Sequence, residues 1–192
     1  VKQAIHEGRL WEYVIKKARA HPKLFEMIDV MTENYEFLGL STPKFKEKAI
    51  FLYDKNDQYR PEVQSFHKIV REFKTKKKRL IITKESSTKP GYLSYQYLAI
   101  KKKFKNFDSF QVCQYNPQLG LIPIEISDIF PAAHHETSRI EFDPKEFHTF
   151  EKTWNNFFTN NEFTEIYFDK KDEFLKHFVK TLPKKIKKKS FV

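Results

Sequence analysis

The chain has 192 residues, 40% of them hydrophobic, enough for one substantial core with a small appendage. Its 36 lysines and arginines against 25 acidic residues give a formal net charge of +11, which points to a polyanionic partner, nucleic acid before membrane. A lone cysteine, Cys113, excludes a disulfide framework or a cysteine zinc site within the chain, and with neither a signal peptide nor an apolar run of bilayer length the expectation is a cytoplasmic protein.

Val1, Ala4, Ile5, Trp11, Val14, Ile15 and Ala18 recur at helical spacing, predicting a helix from the first residue that His21-Pro22 ends. A helix from the first residue, and a start on Val1 rather than methionine, suggest a piece of something larger. Pro22 opens a second helix with Leu24, Phe25, Ile28, Val30 and Met31 as its buried residues, and Gly39 and Pro43 close the hairpin. Ala49 to Tyr53 is a short apolar run suited to a strand. Pro61 starts a helix carrying Val63, Phe66, Ile69, Val70 and Phe73, followed by the basic run Lys74 to Arg79 and a strand over Leu80 to Thr83. Ser94 to Phe104 reads as a helix and Phe110 to Tyr115 as a strand. Asp143-Pro144 caps a helix with Phe147, Phe150, Trp154 and Phe157, Phe163 to Phe168 is a strand, and Asp172 to Leu182 is a last helix ended by Pro183. Strands alternating with helices predict an α/β fold: a three-layer domain with a mostly parallel four-stranded sheet, over residues 47–183. A helical hairpin extension over 1–46 precedes it, and 184–192 is expected to be a basic linker or tail.

One stretch, Gln114 to His135, leaves a buried strand at Asn116-Pro117, passes Gly120, Pro123 and Pro131, and arrives at two adjacent histidines. Ligand sites in open α/β sheets form at such strand ends, although a well-packed connection would have the same composition. In extended backbone His134 and His135 point to opposite sides, so one is expected in the core and the other exposed, and no metal site is predicted. Ser127, His134 and Asp128 can be assembled into a triad on paper, but any chain with seven histidines permits this. The loop from Ser86 to Gly91 lacks the glycine density of a phosphate-binding loop. The candidates for RNA contact are Lys76, Lys77, Lys78 and Arg79 with Lys101, Lys102 and Lys103, although cations near a helix C-terminus are also favoured by its dipole. The twenty phenylalanines fall mostly on apolar faces and read as core before base-stacking platforms.

Ile5-His-Glu-Gly-Arg-Leu-Trp-Glu-Tyr-Val14, followed by Ala18-Arg-Ala-His-Pro-Lys-Leu24, resembles the segment directly after the catalytic barrel of archaeal tRNA-guanine transglycosylase. Arg60-Pro-Glu-Val63 and Leu121-Ile-Pro-Ile-Glu-Ile-Ser-Asp-Ile-Phe-Pro131 are similar to later landmarks of that region, and Pro131-Ala-Ala-His134 resembles a pattern in its paralogue, archaeosine synthase. The resemblance covers about Val1 to Phe158 and implies a role in archaeosine formation in tRNA. The family's nucleophilic aspartate and zinc site lie in the barrel and its PUA-type RNA-binding domain at the C-terminus. Neither part is in this chain, so the resemblance implies a noncatalytic region between them, with no cofactor of its own. Its partners would be tRNA and a transglycosylase catalytic domain or subunit and a PUA-type domain, in cis or trans.

Archaeosine synthase carries a motif of the form Pro-Cys, three residues, Lys-Pro-Tyr, two residues, Ser, two residues, His. Lys89, Pro90 and Ser94 agree with it, whereas Lys84 and Glu85 stand for Pro-Cys, Gly91 for Tyr and Tyr97 for His. The catalytic candidates are therefore Lys89, Ser94, His134 and Asp128, in a motif without its cysteine and histidine. A divergent archaeosine synthase acting on tRNA that carries cyano-deazaguanine is the alternative. A nucleobase-binding enzyme like uracil-DNA glycosylase is a weaker one, by fold analogy alone.

Overall fold

The computed structural model describes residues 1–53, 55–138 and 148–191. Four short helices come first: α1 (Lys2–His6), α2 (Leu10–Ala18), α3 (Pro22–Glu33) and α4 (Tyr35–Ser41). The body follows as β1 (Ile50–Leu52), α5 (Pro61–Glu72), β2 (Arg79–Lys84), α6 (Tyr95–Lys103), β3 (Phe110–Asn116), β4 (Gly120–Pro123), β5 (His135–Thr137), α7 (His148–Asn160), β6 (Glu165–Phe168), α8 (Glu173–Thr181) and β7 (Lys187–Ser190).

The main sheet has the order β4-β3-β2-β6-β7, parallel throughout except for the β3–β4 pair. Alternation along the strands divides its apolar residues between two cores. Leu80, Ile82, Cys113, Ile166 and Phe168 face Val63, Phe66 and Val70 of α5, Trp154 and Phe157 of α7, and Leu175 and Phe178 of α8. Ile81, Phe110 and Val112 face the other way, onto Ile100 of α6 and the rings of Tyr97, Phe104 and Tyr167. The protein is therefore α/β with three layers, as the alternation of elements predicts.

The sheet differs in membership from the expectation of four strands. Residues 49–53 supply β1, but it pairs in parallel with β5 in a separate two-stranded sheet, and β4 and β7 join the main one. The segment expected as a basic linker or tail holds β7, whose Lys187 to Ser190 pair with Glu165 to Phe168. Buried Ile186 anchors it, and a lysine-rich strand suits a sheet edge because its charges oppose pairing with another chain.

The N-terminal extension is more broken than a two-helix hairpin. Gly8, at φ +69°, separates α1 from α2, and α4 adds a further helix of seven residues after α3. Of the residues expected to be buried in α3 only Ile28 is; Leu24, Phe25 and Val30 are exposed because α3 lies outermost, packed chiefly on α2. In α7, Trp154 and Phe157 are buried as expected, while the Asp143-Pro144 cap and Phe147 lie outside the described residues. No helix among the described residues is long and apolar enough to cross a membrane.

Candidate functional site

Parallel strands leave a crevice beyond their carboxyl ends, where loops diverge and backbone groups lack ladder partners. Here a cavity of about 640 Å³ opens beyond β2 and β3 and beside β5, lined among others by Lys84, Glu85, Ser87, Lys89, Tyr115, Asn116, His134, Glu136 and Ser138. Two cis peptides, Lys89-Pro90 and Phe130-Pro131, lie on the segments that lead to its lining residues. The stretch from Gln114 to His135 thus does frame a crevice at strand ends.

Its inner wall is a buried polar network. Asn116 Nδ2 donates to Glu85 Oε2 at 2.7 Å and to Thr137 Oγ1 at 3.0 Å, while its Oδ1 accepts from the backbone of Gln118 and Leu119 at 2.9 and 3.1 Å. One side chain therefore shapes the turn after β3 and holds Glu85 in place. His135 Nδ1 lies 2.9 Å from the Pro131 carbonyl, which can only accept, so Nδ1 carries a proton. Its Nε2 lies 3.2 Å from Glu85 Oε2 and 3.3 Å from Asn116 Nδ2. Both hydrogens of Asn116 Nδ2 are taken by Glu85 and Thr137, and the imidazolium form of His135 donates through Nε2 to Glu85. Burial pushes the Glu85 carboxyl up, but the hydrogen bond and charge of His135, then Lys89 and Asn116, outweigh it and hold Glu85 below the ordinary carboxylate range. Burial pulls the Lys89 ammonium below its ordinary value, opposed by Glu85 and Glu136.

The four catalytic candidates do not converge. Lys89 and His134 line the cavity together, and Lys89 Nζ donates to the His135 carbonyl. Ser94 is buried as the N-cap of α6, its hydroxyl donating to the Gly91 carbonyl at 2.7 Å and accepting from Tyr97 N at 3.1 Å. Asp128 is exposed and outside the cavity lining. Of the paper triad, Ser127 is buried and donates to the Ile124 carbonyl at 2.8 Å. Of the two histidines, His135 is the buried one and His134 is half-exposed. Glu85, Asn116 and Thr137 were not among the candidates; the Asn-Pro turn that ends β3 was the available signal for Asn116. Cys113 is buried in the sheet, where desolvation pushes its thiol well up and leaves it inert. Among the described residues no three His, Cys, Asp or Glu side chains group as a metal site.

Two positions of the archaeosine-synthase-like motif have structural occupations. Tyr97 turns onto the sheet, its ring edge-on to Phe107 at 5.5 Å. Gly91 lies so close to the Gln114 carboxamide that a Cβ would sit 2.2 Å from its oxygen, so the tyrosine of the motif would require the Gln114 side chain to move aside.

The basic candidates lie at the opposite end of the sheet. Arg79 opens β2, level with Phe110 and Glu165 at the starts of β3 and β6, and α6, the crossover between parallel β2 and β3, runs back to bring Lys101, Lys102 and Lys103 toward that same end. Lys77 pairs with Glu125 at 3.0 Å and Lys78 with Glu162 at 2.8 Å, and Arg79 stacks over the Phe110 ring at 4.1 Å and bonds to Ser109. Lys103 donates to the Phe191 carbonyl. Lys76, Lys101 and Lys102 are exposed.

Comparison with curated proteins gives a consistent set of relatives. Proteins named tRNA-guanine(15) transglycosylase are 30% identical over 138 residues in Pyrobaculum aerophilum, covering 71% of this chain and 27% of the relative, and in Saccharolobus solfataricus, covering 70% and 27%. A third, from Methanococcus maripaludis, is 26% identical over 170 residues, covering 88% of the chain and 24% of the relative. The chain is related to a region of the archaeal tRNA-guanine(15) transglycosylases. It spans about a quarter of the length of these transglycosylases. No family model and no solved structure matches it.

Proposed function

We propose that the chain is a noncatalytic region of a transglycosylase that modifies tRNA in the formation of archaeosine. In this reading it works in the cytoplasm and joins a catalytic barrel to a PUA-type RNA-binding domain, in cis or trans. It lends tRNA the basic surface at the amino end of its sheet. The observation that carries the reading is the use of the synthase-like motif for structure: Ser94 caps a helix, Tyr97 packs against a core, and Gly91 lies against the Gln114 carboxamide. A serine whose hydroxyl already serves a helix end, with no base beside it, is a poor nucleophile.

The test has two arms, both on the 192-residue chain. Incubated with free lysine and tRNA bearing cyano-deazaguanine, it is expected to give no lysine adduct in mass spectra of the digested nucleosides. In filter binding, its affinity for tRNA should fall steeply with salt, and replacing Lys76, Lys101 and Lys102 with glutamine should reduce the slope by roughly 0.7–0.9 for each phosphate left without its lysine. Affinity unchanged by salt would defeat the reading.

A second reading has one observation in its favour. Lys89 stands half-buried in a cavity with His134, and desolvation favours its neutral, nucleophilic form. A lysine adduct that Lys89→Ala abolishes would make the chain a divergent archaeosine synthase.

A further inference from the structure

Helix α6 has two apolar stripes rather than one. Tyr97, Ile100 and Phe104, at spacings of three and four, pack onto the sheet. Tyr95 and Leu98 continue to Lys102 at the same spacings on the opposite side, with Tyr95 86% and Leu98 46% exposed. Tyr92 and Leu93, in the turn before the helix, are exposed as well. An outward apolar stripe on a helix already anchored through its other face is not needed for the fold, and a ring as bare as Tyr95 gains nothing from water.

Charge says what suits this face. No Asp or Glu occurs between Glu85 and Asp108, an interval that holds Lys89, Lys101, Lys102, Lys103 and Lys105. Lys101, Lys102 and Lys105 are exposed, and Lys101 and Lys102 follow the tyrosines along the same helix. Planar rings beside cations without an interspersed carboxylate match an unpaired nucleic-acid strand, whose bases stack on aromatic faces while its phosphates meet lysines. A partner protein would leave this run of lysines needing acidic partners, and duplex RNA offers no unstacked base to a tyrosine.

We propose that the outward face of α6 is a binding surface for single-stranded RNA, with a nucleobase stacked on Tyr95 and the flanking phosphates on Lys101 and Lys102. This rests on the tRNA-binding reading above and specifies it: an unpaired loop is the part engaged. The helix also spans the two regions already described, since its amino end follows Lys89 and the cavity and its carboxyl end carries the lysines of the basic edge.

The experiment measures binding of the 192-residue chain to tRNA, to a short single-stranded RNA and to the same sequence in a duplex. Tyr95→Ala, at a position too exposed to matter for folding, should weaken single-strand binding roughly five- to hundredfold with the salt slope unchanged, and Tyr95→Trp should restore it. Lys101→Gln with Lys102→Gln should instead lower the slope. A thermal melt checks that each variant is folded. Binding by the unaltered chain that Tyr95→Ala leaves intact overturns the stacking surface while the basic-edge reading stands. Absence of any RNA binding overturns both. Anionic phospholipid vesicles bound through Tyr95 in place of RNA would assign the face to a membrane and defeat the proposal.

Discussion

Arg60 is a buried charge and Glu85 a half-buried one, each held by opposite partners, and one is sealed inside the protein while the other faces a cavity. Arg60 is 0% exposed, with Nη1 at 2.8 Å from Glu12 and 3.1 Å from the Phe51 carbonyl and Nε at 3.6 Å from Glu62. Asp57, at the edge of the same cluster, accepts from Trp11 Nε1 at 3.0 Å and from Tyr53 N at 2.6 Å, and Lys46 completes it against Glu62. Glu12 and Trp11 belong to α2, Phe51 to β1 and Glu62 to α5, so the cluster bolts the N-terminal helices to the body. The Glu85 network also joins distant segments, but Lys89, His134 and Glu136 leave it a wet side. A charge sealed among structural elements holds them together; one at strand ends beside a cavity remains available to a ligand.

The largest test of this contrast is Arg60→Ala. It leaves Glu12 without its cation and Glu62 with Lys46 alone, and should cost about 3–5 kcal/mol in urea unfolding. Burial raises the Glu62 carboxyl, yet Arg60 and Lys46 outweigh this and hold it below its ordinary value, which is why losing the cation is costly. A loss under about 1 kcal/mol would mean the extension is not held this way.

His67 lies between the two clusters, on the helix that starts beyond Arg60 and bonded through Nε2 to the Gln118 carbonyl at 3.2 Å, in the turn that Asn116 shapes. Burial, with a lesser effect of Arg71, pulls it from 6.5 to about 4. Above 6.5 the ring is neutral in both folded and unfolded chains and contributes no pH dependence. As pH falls from 6.5 toward 4 the unfolded chain takes up the proton first, so stability should drop by about 3 kcal/mol across that window. His67→Gln should flatten the drop; a pH profile identical to that of the unaltered chain would show that His67 is not its source.

Glu85 acts in a lower window. Its folded carboxyl is held below the ordinary value of 4.5, so it stabilises above 4.5 and the contribution is lost as pH falls through the folded value. Glu85→Gln should remove part of the acid loss below 4.5 and, because the cavity admits water, cost only about 1–2 kcal/mol at neutral pH. A cost as large as that of Arg60→Ala would erase the distinction between sealed and open clusters. The smallest effect is expected from Ser94→Ala, about 1 kcal/mol for a lost N-cap, read by thermal unfolding. No change in stability would free Ser94 for another role.

Much of the body was legible along the chain. Pro61 and the spacing of Val63, Phe66 and Val70 mark α5, and the apolar runs at residues 80–83 and 110–115 mark β2 and β3, because short-range periodicity and proline geometry act within a few residues. The chain also carries its charge and its transglycosylase resemblance in one dimension. Strand membership was decided elsewhere. Lys187 to Ser190 have no apolar pattern of a strand, and only the open edge of β6 makes them one. Likewise β1 found its partner in residues 135–137, some eighty positions away, which no local signal could select.

The sequence by itself determined the three-layer α/β class and the stretch that frames the cavity, since proline, asparagine and hydrophobic period dictate local backbone paths. Only the tertiary structure decided which charged groups meet. It brought Glu85, Asn116 and His135 together, sent Ser94 and Tyr97 away from Lys89, and put the lysine runs at the other end of the sheet. Polar partners are chosen by a few ångströms and by which face of an element is turned inward, and both follow from packing.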